Sequence, residues 1–357
     1  MVFEKSIYHR RLDRMRKQLS SLKADGLYAT PSSNLSYLTG IDFHRSERLT
    51  ALFLFRDRDP FVVCPAFEEA RLRRMSAVSE VHVWQETEDP FRIAGGLFPG
   101  ARGTLAVEPS TAFEDVERLV THASGWRPVS AGSLFGPLRM VKESSEIEAI
   151  RGAIQVAGKR FEKAFSSLSS GCTEADISRL FGGENVVQFG ESSALPHGAS
   201  TDRRLSSGDA VLIDAWDRPD GYYYDITRST VFGNPTDEYR KVWSIVLDAQ
   251  SAAIDKAAPG VACWEVDAAA RRVIEKAGYG QYFTHRLGHG LGLDVHEPPY
   301  MVAENQTVLE PGMVFTSEPG VYFLGKFGVR IEDDVMVTEK GAQSLSPRVS
   351  RLEPISA

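Results

Sequence analysis

The sequence predicts an α+β protein with two domains: a smaller N-terminal α/β domain and a larger C-terminal domain. The 357 residues are more than one hydrophobic core usually supports. Short strand-like apolar runs characterise the first part of the chain, whereas long amphipathic helices characterise the second. We therefore predict an N-terminal domain of residues 1–137 and a C-terminal domain of residues 138–357.

The composition, with 42% hydrophobic and 25% charged residues, is that of a soluble globular protein. A formal net charge of -7 offers no basic face for phosphates, so nucleic acid is not expected as a partner. The three cysteines, Cys64, Cys172 and Cys263, are too scattered for a disulfide framework, and reduced thiols fit a cytoplasmic protein. No apolar run approaches the ~18 residues that cross a bilayer, so no membrane association is expected.

Alternating helical and strand-like patterns predict the fold of the first domain. Apolar residues at helical spacing between positions 7 and 23 predict an N-terminal helix, with Gly26 in the position of a C-terminal cap. Three apolar runs follow, at residues 51–55, 61–64 and 81–84, and each predicts a strand.

Two long amphipathic helices are predicted in the second domain. Ser145 and Glu148 have the spacing of a capping box, and the apolar residues after them trace one helical face. A second such helix is predicted over residues 237–257. A glycine and a new helix start follow each of them, at Gly171 and Gly260, which predicts a domain of two related halves.

Two aspartates lie beside apolar runs in the second domain. Asp214 ends the run Val211-Leu212-Ile213, and Asp225 follows eleven residues later, beyond a Pro219-Asp220-Gly221 turn. We therefore predict a hairpin across which the two aspartates face one another.

Three histidines and two further carboxylates extend this set. His285, His289 and His296 fall within twelve residues among glycines, a density that favours a functional cluster. The glycines are expected to let the backbone approach a buried ion closely. Glu318 and Glu332 terminate or interrupt apolar runs, where burying a carboxylate is expensive unless a cation compensates.

Four carboxylates and one imidazole predict a site for two divalent metal ions. The predicted ligands are Asp214, Asp225, His289, Glu318 and Glu332. Such oxygen-dominated ligation favours Mn²⁺, with Co²⁺ or Zn²⁺ as alternatives. Four carboxylates offset the charge of two divalent ions about 3.5 to 4 Å apart, between which a water molecule loses a proton near neutral pH. This chemistry is that of a hydrolase that attacks an acyl carbon.

The segments around these residues resemble metallopeptidase family M24, and within it the prolidase and Xaa-Pro aminopeptidase branch. The likeness is carried by residues 194–198, Asp214 with 225–228, 285–298, 318–322 and 329–334. Residues 31–40 resemble the family's N-terminal domain. The resemblance implies a C-terminal pita-bread (creatinase/aminopeptidase-like) domain preceded by a creatinase N-terminal-like α/β domain.

The resemblance also implies a role for each matched residue. It makes the five residues above the metal ligands, with Asp225 and Glu332 bridging the ions. Glu318 would also carry a proton from the bridging water to the leaving nitrogen, and His296 would bind the scissile carbonyl oxygen. The remaining residues implied to shape the pocket or orient ligands and substrate are His197, His285, Tyr322 and Arg330.

As a member of this branch, the protein is expected to be a homodimer that hydrolyses the Xaa-Pro bond of a dipeptide with a metal-bridging hydroxide. The proline nitrogen has no hydrogen, so the pocket must fit the ring and supply the leaving group's proton. The alternative is an Xaa-Pro aminopeptidase that acts on longer peptides. A dipeptidase needs a cation for the substrate carboxylate, and Arg330 or a residue of the N-terminal domain is a candidate.

Three other functions of this fold are disfavoured. Methionine aminopeptidases usually lack such an N-terminal domain, and creatinase-like hydrolysis without metal leaves five ligand positions without a purpose. A non-catalytic binding module would be expected to have lost some of the metal ligands.

The chain departs from the family in having Trp216 at a position where glycine is frequent. Trp216 is therefore expected either to line the pocket or to pack in the core. Residues 178–191 are also short for a helix of the domain's first half.

Overall fold

The structure is a computed structural model that describes residues 3–357. It divides into two compact units, the first ending at Arg139 and the second beginning at Met140. Both units contain helices and sheets, which confirms the predicted α+β class. Within residues 3–357, none of the helices combines the length and the apolar character that a membrane span requires.

The first unit contains one six-stranded sheet. Its elements are α1 (Lys5–Gln18), β1 (Gly26–Ala29), α2 (Ser33–Thr39), β2 (Ala51–Phe55), β3 (Arg58–Pro65), α3 (Glu69–Met75), β4 (Glu80–Trp84), α4 (Pro90–Gly96), β5 (Gly103–Val107), α5 (Phe113–His122), β6 (Trp126–Ser130) and α6 (Gly132–Arg139). The strand order is β4-β3-β2-β1-β5-β6, with β1 parallel to β5 and antiparallel to β2. The three predicted strands are confirmed as β2, β3 and β4.

The N-terminal helix ends earlier than the sequence predicts. A 3-10 turn over Leu19–Leu22 follows α1, and Lys23 takes the left-handed conformation with a φ of 51°. Gly26 is therefore not the cap, because it begins β1. A Cβ atom at Gly26 would overlap the Phe55 ring, so this glycine permits close packing in the sheet.

The second unit contains three separate sheets. Its elements are α7 (Ser144–Ser166), α8 (Glu174–Phe181), β7 (Glu184–Phe189), β8 (Ala210–Asp217), β9 (Tyr224–Val231), α9 (Asp237–Lys256), α10 (Cys263–Lys276), β10 (Gly288–Gly290), β11 (Glu297–Met301), β12 (Val314–Ser317), β13 (Gly320–Phe323), β14 (Phe327–Arg330), β15 (Asp333–Thr338) and β16 (Gly341–Ser344). The strand orders are β7-β8-β9, β11-β10-β12-β15-β16 and β13-β14. Both predicted long helices are present, as α7 and α9.

The second unit shows the same local geometry twice, each time between two helices. Gly171 lies between α7 and α8, and Gly260 lies between α9 and α10, with φ angles of 85° and 87°. Their N–H groups donate to the carbonyl oxygens of Leu205 and Leu309, at 2.9 and 3.0 Å respectively. This correspondence supports the predicted duplication.

The start of α7 differs from the predicted capping box. Glu143 is the residue before the helix, and its N–H donates to the carboxylate of Glu146 at 2.9 Å. Ser145 and Glu148 lie two residues further along the chain, so the capping box predicted from them is wrong. The next helix, α8, has only eight residues, in agreement with its short sequence segment.

Candidate metal centre

Strands β8 and β9 form the antiparallel hairpin predicted around the two aspartates. The register pairs Asp214 with Thr227 and Trp216 with Asp225. The aspartates are therefore offset by two residues rather than directly opposed, which corrects the predicted pairing. Because side chains alternate along a strand, both aspartates still lie on one face of the hairpin.

The other three predicted ligands lie within or directly beside other strands of the second unit. His289 is the central residue of β10, Glu318 follows β12, and Glu332 lies between β14 and β15. Potential ligand atoms of His289, Glu318 and Glu332 lie within 4.8 Å of one another. The same limit holds for Asp214, Asp225 and Glu332. Glu332 thus belongs to two adjoining groups, each with three potential ligands.

His296 lies beside the same cluster. Its ring is nearly perpendicular to that of His289, with 4.2 Å between the ring centroids. Together with Asp225 and His289 it forms a third group of potential ligand atoms within 4.8 Å. His296 would therefore lie close to any ion or substrate bound in this cluster.

The buried carboxylates repel one another. Burial, and then the neighbouring carboxylates, raise the pKa of Asp225 and of Glu332 well above the usual range. Glu318 behaves differently: burial alone would raise its pKa, but a hydrogen bond from His289, formed when a proton rather than a metal ion occupies Nε2, and the nearby positive charges lower it to about 2. A divalent cation between these oxygens would remove the repulsion.

The hydrogen bonds of His289 fit a metal ligand. Its Nδ1 lies 3.1 Å from the carbonyl oxygen of Gly290, and a carbonyl can only accept, so Nδ1 carries the hydrogen. In the neutral ring, Nε2 then directs its lone pair at Asp225 and Glu318, whose oxygens lie 3.5 and 3.3 Å away. Lone pairs that face one another at this distance require a shared cation or proton.

Thr227 connects two candidate ligands to an arginine. Its hydroxyl lies 2.8 Å from Asp214 and 2.6 Å from Glu332, and it accepts a hydrogen bond from Arg330 Nε at 3.0 Å. Arg330 also donates from Nη2 to Asp214 at 2.6 Å. These contacts fix the orientation of both carboxylates, as expected of residues that support a metal site.

Tyr322 and His285 continue the network from Arg330. Arg330 Nη1 donates to the Tyr322 hydroxyl at 2.9 Å. His285 Nδ1 donates to the carbonyl oxygen of Arg286 at 2.7 Å, and burial lowers the pKa of His285. His285 Nε2 is therefore unprotonated in the neutral ring, and accepts the Tyr322 O–H at 2.9 Å.

A second threonine orients Glu318 and His289. The Thr316 hydroxyl accepts the backbone N–H of His289 at 3.1 Å and donates to Glu318 at 3.0 Å. Neither Thr316 nor Thr227 was predicted from the sequence to have a role. Each lies two residues from a predicted ligand on the same chain segment, so the period of two in a strand is the signal that identifies them.

The ligand cluster opens into a cavity of about 370 Å³. The lining residues that the sequence predicted are His197, Asp214, Asp225, His285, His289, His296, Glu318, Arg330 and Glu332. Tyr322 lies behind these lining residues, and its hydroxyl is hydrogen-bonded to His285 and Arg330. Trp216 lines the cavity together with Val186 and Val295, so of its two predicted positions the structure shows the pocket wall.

The glycines around His289 permit close packing of the chain, and their predicted approach to an ion stays a prediction. A Cβ atom at Gly288 would overlap the carbonyl oxygen of Thr316, and one at Gly290 that of Pro298. A Cβ atom at Gly292 would lie 2.9 Å from the Glu297 carboxylate. Neighbouring strands and side chains therefore occupy the space that side chains at these positions would fill.

Both units match known families. Residues 148–339 match metallopeptidase family M24, and residues 11–141 match the creatinase/prolidase N-terminal domain. A probable dipeptidase, PepE of Mycobacterium bovis, is 39% identical over 359 aligned residues, which cover 96% of each chain.

Solved structures give the same result. The dipeptidase PepE from Mycobacterium ulcerans is 37% identical, with a TM-score of 0.92 and complete coverage of both chains. A prolidase from Thermococcus sibiricus is 33% identical, with a TM-score of 0.90 over 98% of this chain and 99% of the other. The two-domain creatinase-like architecture with a C-terminal pita-bread domain is thereby confirmed, and the chain belongs to metallopeptidase family M24, a family of peptidases that use divalent metal ions.

Proposed function

We propose that the protein is an exopeptidase that uses two metal ions, Mn²⁺ first among them, to hydrolyse the Xaa-Pro bond of dipeptides in the cytoplasm. Residues 138–357, which contain all five candidate ligands, would form the catalytic domain, and the active form would be a homodimer. The observation that carries the proposal is the convergence of Asp214, Asp225, His289, Glu318 and Glu332 in one cavity.

The donor set fits two divalent ions. Two groups of three potential ligands share Glu332, which is the arrangement expected when one carboxylate bridges two ions. Asp225 belongs to two groups as well, which supports the proposal that it bridges the ions together with Glu332. When bound, the ions would polarise the substrate carbonyl and lower the pKa of a water molecule.

Glu318 would transfer a proton during hydrolysis, and His296 would stabilise the charge on the carbonyl oxygen. Glu318 accepts the Thr316 hydroxyl hydrogen and lies 3.3 Å from His289, and as a carboxylate in this position it would accept a proton and deliver it to the leaving nitrogen. Desolvation, and then the charges of His289 and Arg286, lower the pKa of His296 to about 4. His296 is thus neutral at pH 7 and donates one N–H to the oxygen of the scissile carbonyl.

The cavity suits a small substrate with one compact apolar ring. Its volume of about 370 Å³ lies near the lower end of the roughly 300–1,000 Å³ of small-molecule sites. Val186, Pro196, Trp216 and Val295 give it an apolar wall, against which a proline ring would pack. The prolidase from Thermococcus sibiricus, similar along nearly its whole chain, supports the same substrate class.

Metal reconstitution tests the proposal. Metal-stripped protein is assayed with Mn²⁺, Co²⁺ and Zn²⁺ on Ala-Pro, Leu-Pro, Ala-Pro-Ala and Met-Ala-Ser. We expect metal-dependent cleavage of the two dipeptides. Turnover of Ala-Pro-Ala alone would establish the aminopeptidase alternative, and no cleavage of any peptide would refute the proposed function.

Two variants separate metal binding from catalysis. Glu332→Ala is expected to lose metal and activity together, because it removes the ligand shared by two groups. His296→Ala is expected to keep bound metal and lose turnover, and full activity in this variant would refute its role. Glu339→Ala, a change at an exposed glutamate, is the matched control and should behave as wild type.

A further inference from the structure

Two arginines line the cavity, and they differ in what their guanidinium groups bind. Arg330 is only 4% exposed and donates to Asp214, Thr227 and the Tyr322 hydroxyl. Its nitrogens are thus engaged in holding a candidate ligand. Arg330, which the sequence suggested as the cation for the substrate carboxylate, is therefore a poor candidate for that role.

Arg286 is half-buried, and among the residues that the structure describes its guanidinium has no acidic partner. The guanidinium carbon lies 4.6 Å from the centroid of the Tyr300 ring. Within residues 3–357, the structure assigns its side chain no hydrogen bond and no ion pair. Stacking on the ring restrains the guanidinium plane and leaves its N–H groups available at the edge.

The charge balance of the cavity favours an anion beside Arg286. Two divalent ions would neutralise the four candidate carboxylates, which leaves the positive charges of Arg330 and Arg286 and the negative charge of a bridging hydroxide. One positive charge thus stays uncompensated, and Arg330 is already paired with Asp214. A half-buried arginine in this setting matches a planar carboxylate, with which it forms paired, charge-assisted hydrogen bonds.

We propose that Arg286 binds a carboxylate of the peptide held in the cavity and thereby selects the substrate. This inference rests on the proposed function, since it concerns the same site. The carboxylate has two possible sources, the C-terminus of a dipeptide or the acidic side chain of its first residue. Either source makes Arg286 a specificity-determining residue.

Paired substrates test the role of Arg286. For wild type and Arg286→Gln, KM and kcat are measured on Ala-Pro and on its C-terminal amide. If Arg286 binds the C-terminus, Arg286→Gln should raise KM for Ala-Pro roughly ten- to a hundredfold, the loss expected for a charge-assisted pair. The amide lacks the charge, so its KM should change less than twofold.

A second pair of substrates tests the other source. Glu-Pro and Gln-Pro differ only in the charge of the first side chain. A selective loss on Glu-Pro in Arg286→Gln would show that Arg286 binds that side chain. Arg286→Lys keeps the charge but not the planar fork, and should recover part of the loss in either case.

The controls separate this inference from the proposed function. Arg272→Gln changes an exposed arginine of α10 and should leave all four KM values unchanged. Equal losses on charged and uncharged members of both pairs would overturn the role of Arg286 while the peptidase function stands. If wild type cleaves none of the four substrates with any metal, the proposed function fails and this inference fails with it.

Discussion

A buried ion pair in the second unit permits a quantitative prediction about stability. Lys142 Nζ lies 2.9 Å from the carboxylate of Glu297, and the two side chains are 1% and 4% exposed. Glu297 directly follows His296 in the sequence and begins β11, so the pair also fixes the segment that carries a catalytic candidate. The perturbation is Lys142→Met, which keeps the length of the side chain and removes its charge.

The size of the effect follows from burial. Lys142→Met breaks the ion pair with the buried Glu297 carboxylate, and breaking such a pair typically costs about 3 to 5 kcal/mol. Removing both charges, in Lys142→Met with Glu297→Met, leaves no isolated charge and is expected to cost much less, or even to stabilise. The single variant should therefore be less stable than the double variant.

Equilibrium urea unfolding of the metal-loaded protein measures these differences. Lys163→Met, a change at an exposed lysine of α7, is the matched control and should lie within about 0.5 kcal/mol of wild type. We also expect Lys142→Met to lower kcat, because the segment after His296 loses its anchor. A free energy of unfolding within 1 kcal/mol of wild type for Lys142→Met would refute the reasoning.

Three further predictions concern the metal centre and its framework. Thr227→Val is expected to weaken metal binding about 10- to 100-fold by calorimetry, whereas Thr227→Ser keeps the hydroxyl and should bind nearly as wild type. In metal-free protein, the raised pKa values of Asp225 and Glu332 mean that the folded state binds more protons than the unfolded state. The lowered pKa values of His285 and His296 act in the opposite sense below about pH 6.5. The free energy of unfolding should therefore fall as the pH rises above about 6.5, where both histidines are neutral whether folded or unfolded, and saturating metal should abolish this fall. Gly288→Ala places a Cβ atom against a backbone carbonyl and should cost about 1 to 3 kcal/mol or more in urea unfolding, whereas Gly152→Ala in α7 meets open space and should not destabilise.

Local sequence patterns predicted the elements better than the details of their ends. The hairpin of β8 and β9 followed from apolar runs around a turn, and the five candidate ligands followed from carboxylates and a histidine in apolar surroundings. The prediction that Gly26 caps the N-terminal helix was wrong, because a glycine in a strand and a glycine after a helix look alike in sequence. The offset between Asp214 and Asp225 was missed because the register of a hairpin depends on the length and geometry of its loop.

The sequence by itself determined the chemistry of the site: which residues can bind metal, and the family whose motifs they match. Only the tertiary structure decided which donors meet, because contacts such as Lys142 with Glu297 join positions 155 residues apart. Periodicity reports the face of an element on which a residue lies, but not what packs against that face. Arg330 is occupied by hydrogen bonds, whereas the Arg286 guanidinium stacks on Tyr300; both arrangements are properties of the folded chain that the sequence alone did not reveal.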